Sequence, residues 1–252
     1  MRHGSLFSGI GGFDLASEWM GWENVFQVEW DSFCQKILTK NFPNVERHGD
    51  IKEFDGTKYR GLIDIISGGF PCQPFSVSGK RRGTEDNRYL WPEMLRVIKE
   101  IQPRYIVAEN VHGLLTQQGG VVFETVYSQM ENEGYEIQSV VLPACSLGAQ
   151  HRRDRIWIIG HLSNSSSFRL SEPNRIQEGQ QSTGRRSSLC FVDPLYRNDS
   201  REYISNESRI SGTIDGVSDR VDRVKGLGNA IVPQVAYEIF KAIEFVNNSF
   251  PE

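Results

Sequence analysis

A chain of 252 residues with 38% hydrophobic and 24% charged content can bury one large core, or one core with a small appendage, and no apolar run approaches the roughly 18 residues of a membrane helix. A net charge of −4 argues against a chain that coats nucleic acid indiscriminately and leaves a local basic groove open. Cys34, Cys72, Cys145 and Cys190 form no C-x-x-C pair, so neither a zinc site nor a disulfide framework is expected, and with no cleavable leader after Met1 a cytoplasmic, metal-free protein is expected.

In chain order, Ser5-Leu6-Phe7 predicts a strand that breaks into Ser8-Gly9-Ile10-Gly11-Gly12, followed by a helix to about Met20. This is the βα opening of a nucleotide-binding sheet, in which glycines let the backbone approach a ligand at a helix N-terminus. The third glycine of a dinucleotide G-x-G-x-x-G would fall at position 14, which is Asp14, and that departure weighs against nicotinamide or flavin. The next strand, Val25 to Glu29, ends in an acid suited either to both hydroxyls of a ribose or to a plain helix cap. Asp31 caps a helix to about Asn41, with Phe33, Ile37 and Leu38 on one face. Residues 45–51 predict a third strand ending in Gly49-Asp50-Ile51, where a second acid could meet an adenine amino group or again act as a cap.

Ile63 to Ile66 is a β-branched run suited to a parallel strand, and it breaks into Gly68-Gly69-Phe70-Pro71-Cys72-Gln73-Pro74. The glycines permit a sharp turn and the two prolines fix φ on either side, a setting that holds Cys72 out of the core as a nucleophile. The alternative is a small buried hydrophobe, as many free cysteines are. Residues 76–87 are polar, basic and glycine-dotted, as in a surface loop that closes over a substrate. A helix from Tyr89 to Ile101, a strand Tyr105–Ala108 running into Glu109-Asn110-Val111, a helix over 121–133 and strands over 135–142 and 155–161 complete the order βαβαβαβαβαββ. That order is α/β, a doubly wound sheet with a final hairpin. Residues 162–224 hold 13 serines, nine basic, nine acidic and only 17 apolar residues, too few for a core of their own. Helical periodicity returns over Val232–Val246 through Val235, Ile239, Ala242 and Ile243, so the segment reads as an insertion hung on the sheet.

Together these segments resemble the DNA cytosine-5 methyltransferase family, over nearly everything outside 162–224. Phe7-Ser8-Gly9-Ile10-Gly11-Gly12 is similar to its cofactor loop, Glu29-Trp30 to its ribose acid with an adenine-stacking neighbour, and Asp50-Ile51 to its adenine contact. Pro71-Cys72-Gln73 matches the catalytic triplet, Ser76 falls where the family contacts a phosphate, and Asp86-Asn87-Arg88 with Leu90 resembles the next motif. Glu109-Asn110-Val111, Arg153-Asp154-Arg155 and Gly228-Asn229-Ala230 resemble the remaining three. His151, Tyr89 and Ala230 stand where many members have Gln, Gly and Ser. The resemblance implies a Rossmann-like sheet formed by residues 1–161 and 225–252, with a small target-recognition lobe over 162–224. It implies Cys72, Glu109, Arg153 and Arg155 as catalytic residues, with the arginines or loop cations favouring the Cys72 thiolate. It implies S-adenosyl-L-methionine held by Phe7, Gly9, Ile10, Gly11, Gly12, Glu29, Trp30, Asp50, Ile51, Pro71, Leu90, Asn229 and Ala230. Gln73, Ser76, Lys80, Arg81 and Arg82 would contact DNA, and the expected partner of a monomeric enzyme is double-stranded DNA, with a cognate restriction endonuclease as a candidate companion. The competing readings are RNA as substrate, a nicotinamide enzyme with a catalytic cysteine, and an inactive DNA-binding regulator.

Overall fold

The computed structural model describes residues 1–72, 89–147, 153–162 and 229–249. The loop over 76–87, with Gln73, Ser76, Lys80, Arg81, Arg82 and Asp86-Asn87-Arg88, lies outside the described residues, as do His151, Gly228 and all but Leu162 of the recognition lobe.

Seven strands form one sheet: β1 (Arg2–Leu6), β2 (Glu23–Val28), β3 (Glu46–His48), β4 (Ile65–Gly69), β5 (Tyr105–Val111), β6 (Tyr135–Pro143) and β7 (Asp154–Leu162). Their spatial order is β3-β2-β1-β4-β5-β7-β6. The first five run parallel, while β7 enters antiparallel between β5 and β6, pairing with both. The expected α/β doubly wound sheet is therefore present, and the final hairpin is β6–β7 with its second strand inserted inward.

Helices α1 (Gly12–Trp19), α2 (Ser32–Asn41), α3 (Trp91–Ile101), α4 (Val121–Asn132) and α5 (Pro233–Ser249) supply the layers. Ile66, Ile106 and Ile158 face α3 and α4 through Met94, Ile98, Val126 and Met130, whereas Ile65, Val107 and Trp157 face α1 and α5 through Phe13, Ala16, Ile239 and Phe240. Adjacent strand residues thus feed opposite cores, which is why the central strands read as continuous apolar runs. Among the described residues no helix is long and apolar enough to cross a membrane.

Three expectations shift. The order βαβαβαβαβαββ implied a helix between the third and fourth strands, but that connection holds only a 3-10 turn, Thr57–Tyr59. The third strand stops at His48, because the Asp50 side chain accepts the Lys52 N–H at 3.0 Å and turns the chain. The helix after the cysteine begins at Trp91, with Pro92 in its first turn, leaving Tyr89 to bridge Cys72 in an extended pairing.

Candidate active site

Progression through the sheet reverses between β1 and β4, so the loops leaving their C-terminal ends diverge and open a crevice. The registers Leu6↔Gly68 and Gly69↔Glu109 bring the Phe7–Gly12 turn, the Phe70–Cys72 turn and Glu109–Val111 to that crevice side by side.

The glycine turn is wound tightly: φ is 51° at Phe7, 55° at Gly9 and 89° at Gly11. The Gly9 N–H donates to Glu29 Oε2 at 2.7 Å and the Asp31 N–H donates to Glu29 Oε1 at 2.8 Å. Glu29 therefore braces the turn from the end of β2, and it is Asp31 that caps α2, accepting the Phe33 and Cys34 N–H groups. Burial pushes the Glu29 carboxyl above its ordinary range, and each of its oxygens keeps acceptor capacity for a ribose hydroxyl. The neighbouring Trp30 indole is 75% exposed. Beside Gly9 the space is open: a Cβ placed there would meet nothing nearer than the Phe7 carbonyl at 3.9 Å. An accepting carboxylate, a bare indole and an open cradle over a helix N-terminus fit S-adenosylmethionine.

Across the turn lies the far end of the chain. A Cβ at Gly12 would fall 2.6 Å from Ile231 Cγ1, so only glycine lets residues 229–231 close down. Phe7, Gly9, Ile10, Gly12, Asn229 and Ala230 share a narrow cavity of about 30 Å³, while Gly11 packs beneath it against Leu38 and Phe42. Pro71 and Leu90 flank the cysteine turn, the Leu90 N–H donating to the Pro71 carbonyl at 3.2 Å. Ile51 is buried. Asp50 borders a separate concavity of about 390 Å³ with His48, Phe54, Asp55 and Lys58, which includes none of the glycine turn.

Cys72 is 8% exposed, and its thiol donates to Asn110 Oδ1 at 2.7 Å. Asn110 in turn donates through Nδ2 to the Phe70 carbonyl at 2.8 Å, and Gln117 Nε2 donates to the Cys72 carbonyl at 3.1 Å. The turn is thus pinned from the end of β5. Burial pushes the Cys72 thiol up, and the Glu109 charge pushes it further in the same direction. The expected lowering by nearby cations is not observed among the described residues: Arg155 is engaged elsewhere, its Nε 2.8 Å from Glu109 Oε1. Glu109 itself is 7% exposed, and burial raises its carboxyl to about 7 against the opposing pull of Arg155 and Arg153. Arg153 donates through Nη2 to the Ala230 carbonyl at 2.7 Å.

Three features escaped sequence reasoning. Asn110 carried a signal, as the middle of the Glu-Asn-Val triplet; Gln117 carried none, and it is followed by the left-handed residues Gln118, Gly119 and Gly120. Asp14, read only as a missing glycine, is fully buried and accepts from Ser5 Oγ at 3.1 Å and Gln27 Nε2 at 2.9 Å beneath the turn. His3 extends this polar layer between Asn24 and Ser67.

A family model described as C-5 cytosine-specific DNA methylase matches residues 1–214. The Type II methyltransferase M.Eco47II of Escherichia coli is 41% identical over 158 residues, 61% of this chain and 38% of that protein. The Type II methyltransferase M.HhaI of Haemophilus parahaemolyticus is 35% identical over 176 residues, 69% of this chain and 53% of that protein. Among solved structures, a DNA modification methyltransferase encoded within an E. coli prophage superposes with a TM-score of 0.56 at 27% identity, over 64% of this chain and 47% of the other. The S. pombe Dnmt2 methyltransferase, at 23% identity and a TM-score of 0.55 over 64% of this chain and 51% of the other, shares the fold. The chain spans about half the length, or less, of these curated relatives.

Proposed function

Because the chain belongs to the C-5 cytosine-specific DNA methylase family, we propose that it is a DNA cytosine-5 methyltransferase acting on a cytosine flipped out of double-stranded DNA. The observation that carries this reading is the meeting of a pinned thiol, Cys72, with a buried carboxyl, Glu109, at the ends of neighbouring strands and beside a cofactor-type glycine turn.

Carbon 5 of cytosine is a poor nucleophile, and addition of the Cys72 thiolate at carbon 6 makes it enamine-like. The addition builds negative charge on the ring, which Glu109 meets by donating its proton at N3. A Glu109 carboxyl held near 7 still carries that proton in part of the population at neutral pH. Protonated Glu109 also lacks the charge that raises the Cys72 thiol, so the state with the proton on Glu109 and the thiolate on Cys72 is self-consistent. Arg155, ion-paired to Glu109, would hold the cytosine carbonyl at C2 as well. S-adenosylmethionine, when bound, would offer an electrophilic methyl group to carbon 5 and leave as S-adenosylhomocysteine. Loss of the C5 proton to a general base would then expel Cys72 as the thiolate, and return of the N3 proton to Glu109 would restore the ring.

The enzyme's substrate is double-stranded DNA in the cytoplasm, and a cognate restriction endonuclease is its expected companion. Labelled methyl transfer to DNA and to RNA, followed by bisulfite mapping of the DNA product, tests the reading. Cys72→Ser should abolish transfer and leave S-adenosylmethionine affinity within a few-fold. Transfer to RNA alone, or an active Cys72→Ser, would overturn the assignment.

A further inference from the structure

Arg153 immediately precedes β7 and Arg155 is the second residue of that strand. Their partners differ. Arg155 Nε reaches Glu109 Oε1 at 2.8 Å, whereas Arg153 Nη2 ends on the backbone carbonyl of Ala230 at 2.7 Å. Ala230 is flanked by Asn229, which lines the narrow cavity over the glycine turn, and by Ile231, whose Cγ1 occupies the space a Gly12 side chain would need. Among the described residues, this bond ties the strand that bears the catalytic ion pair to the segment that closes over the cofactor turn.

We infer that Arg153 is a positioning residue for the cofactor segment: its guanidinium clamps Asn229–Ile231 onto the glycine turn. This rests on the proposed function and adds a division of labour, with Arg155 serving the base and Arg153 the cofactor wall. The same cation also pulls against the proton on Glu109. Arg153 thereby connects the two halves of the crevice electrostatically as well as mechanically.

Titrating S-adenosylmethionine calorimetrically, without DNA, separates the roles. A hydrogen bond from a charged donor contributes about 1.5–3 kcal/mol, so Arg153→Met should weaken binding roughly 10- to 150-fold. Ile231→Ala should weaken it in the same direction, Arg153→Lys should recover part of the loss, and Arg155→Met should stay within about threefold of wild type. At saturating cofactor, Arg153→Met should also move the Glu109 limb of the pH–rate profile to higher pH, which a merely structural role would not do. Wild-type affinity in Arg153→Met, or equal losses in Arg153→Met and Arg155→Met, would overturn the inference alone. If Arg153→Met does not fold, Arg153→Lys and Ile231→Ala carry the test, and unchanged affinity in both overturns it. Failure of the wild-type chain to bind S-adenosylmethionine would sink the proposed function together with the clamp.

Discussion

Cys72 and Glu109 are ordinary residues made unusual by where two strands end. Burial raises the carboxyl to about 7, and the ionised carboxyl in turn raises the thiol, so each proton biases the other. The sign follows directly. As pH rises through about 7, Glu109 loses the proton it would donate at N3, and the new charge opposes ionisation of Cys72. Replacing Glu109 with Gln removes both the acid and the charge. Methyl transfer should fall at least about a hundredfold, the usual scale of a positioned acid, while alkylation of Cys72, followed by mass spectrometry of its peptide, should shift to lower pH. An alkylation profile that does not move would show that the two groups are not coupled. Glu29 offers the complementary case, because its carboxylate already braces Gly9 and Asp31. Glu29→Ala should weaken S-adenosylmethionine at least about tenfold by calorimetry, and an unchanged dissociation constant would remove it from the site.

At the level of elements, central strands and amphipathic helices differ in period whatever they pack against, so periodicity announced the ones present, whereas the helix implied between β3 and β4 is only a 3-10 turn. The insertion of β7 between β5 and β6 was not legible, since pairing partners are set by register and not by any property of 155–161 alone. The brace made by Glu29 was hidden for a similar reason: an acid at a strand end reads the same whether it faces a ribose or a backbone N–H. The polar layer under α1 was invisible because Ser5, Asp14 and Gln27 meet only once β1 and β2 pair. That layer has a measurable consequence. Folded, Asp14 is pushed by burial to hold its proton to about 6, above the ordinary aspartate value of 3.8. The stability it lends is complete below the unfolded value and is lost as pH rises to the folded one, a change of about 3 kcal/mol. Asp14→Asn removes this dependence, and turning over the Gln27 amide, whose Oε1 is buried without a hydrogen bond, would receive the introduced N–H. Urea unfolding at pH 4 and pH 7 should therefore favour the variant progressively with pH, and parallel curves would exclude Asp14 as the source. On α5, Phe240 is fully buried, 4.9 Å from Trp22 and 6.2 Å from Phe13 by ring centroids. Phe240→Ala should cost about 3–5 kcal/mol, and a loss under about 1 kcal/mol would mean that α5 does not depend on this anchor.

For the whole molecule, the question is how the sheet can be interrupted by a segment with too little apolar content for its own core and still bring residues 229–231 down onto the glycine turn. Among the described residues, both cores are formed by side chains up to Leu162 and from Ile231 onward. The geometry of β7 sets what the insertion must do. The chain leaves the sheet at Leu162, at the far end of a nine-residue strand, yet must return to Ala230, which Arg153 holds at the near end. That is a return path of roughly 30 Å, at about 3.3 Å per strand residue. A Gly/Ser linker of about 30 residues has a root-mean-square span that matches this distance, whereas joining Leu162 directly to Lys225 leaves only residues 225–229, which reach about 20 Å fully extended. Replacing 163–224 with the long linker should leave S-adenosylmethionine affinity within about threefold and reduce sequence-specific DNA binding to the salt-sensitive level of phosphate contacts. The direct fusion should additionally weaken the cofactor, because it would pull Ala230 away from Arg153 and Ile231 off Gly12. If the long-linker protein still methylated the same plasmid sites by bisulfite sequencing, base recognition would belong to the catalytic body. Equal cofactor affinity in the long-linker protein and the direct fusion would mean that Asn229–Ile231 is not held in place through β7.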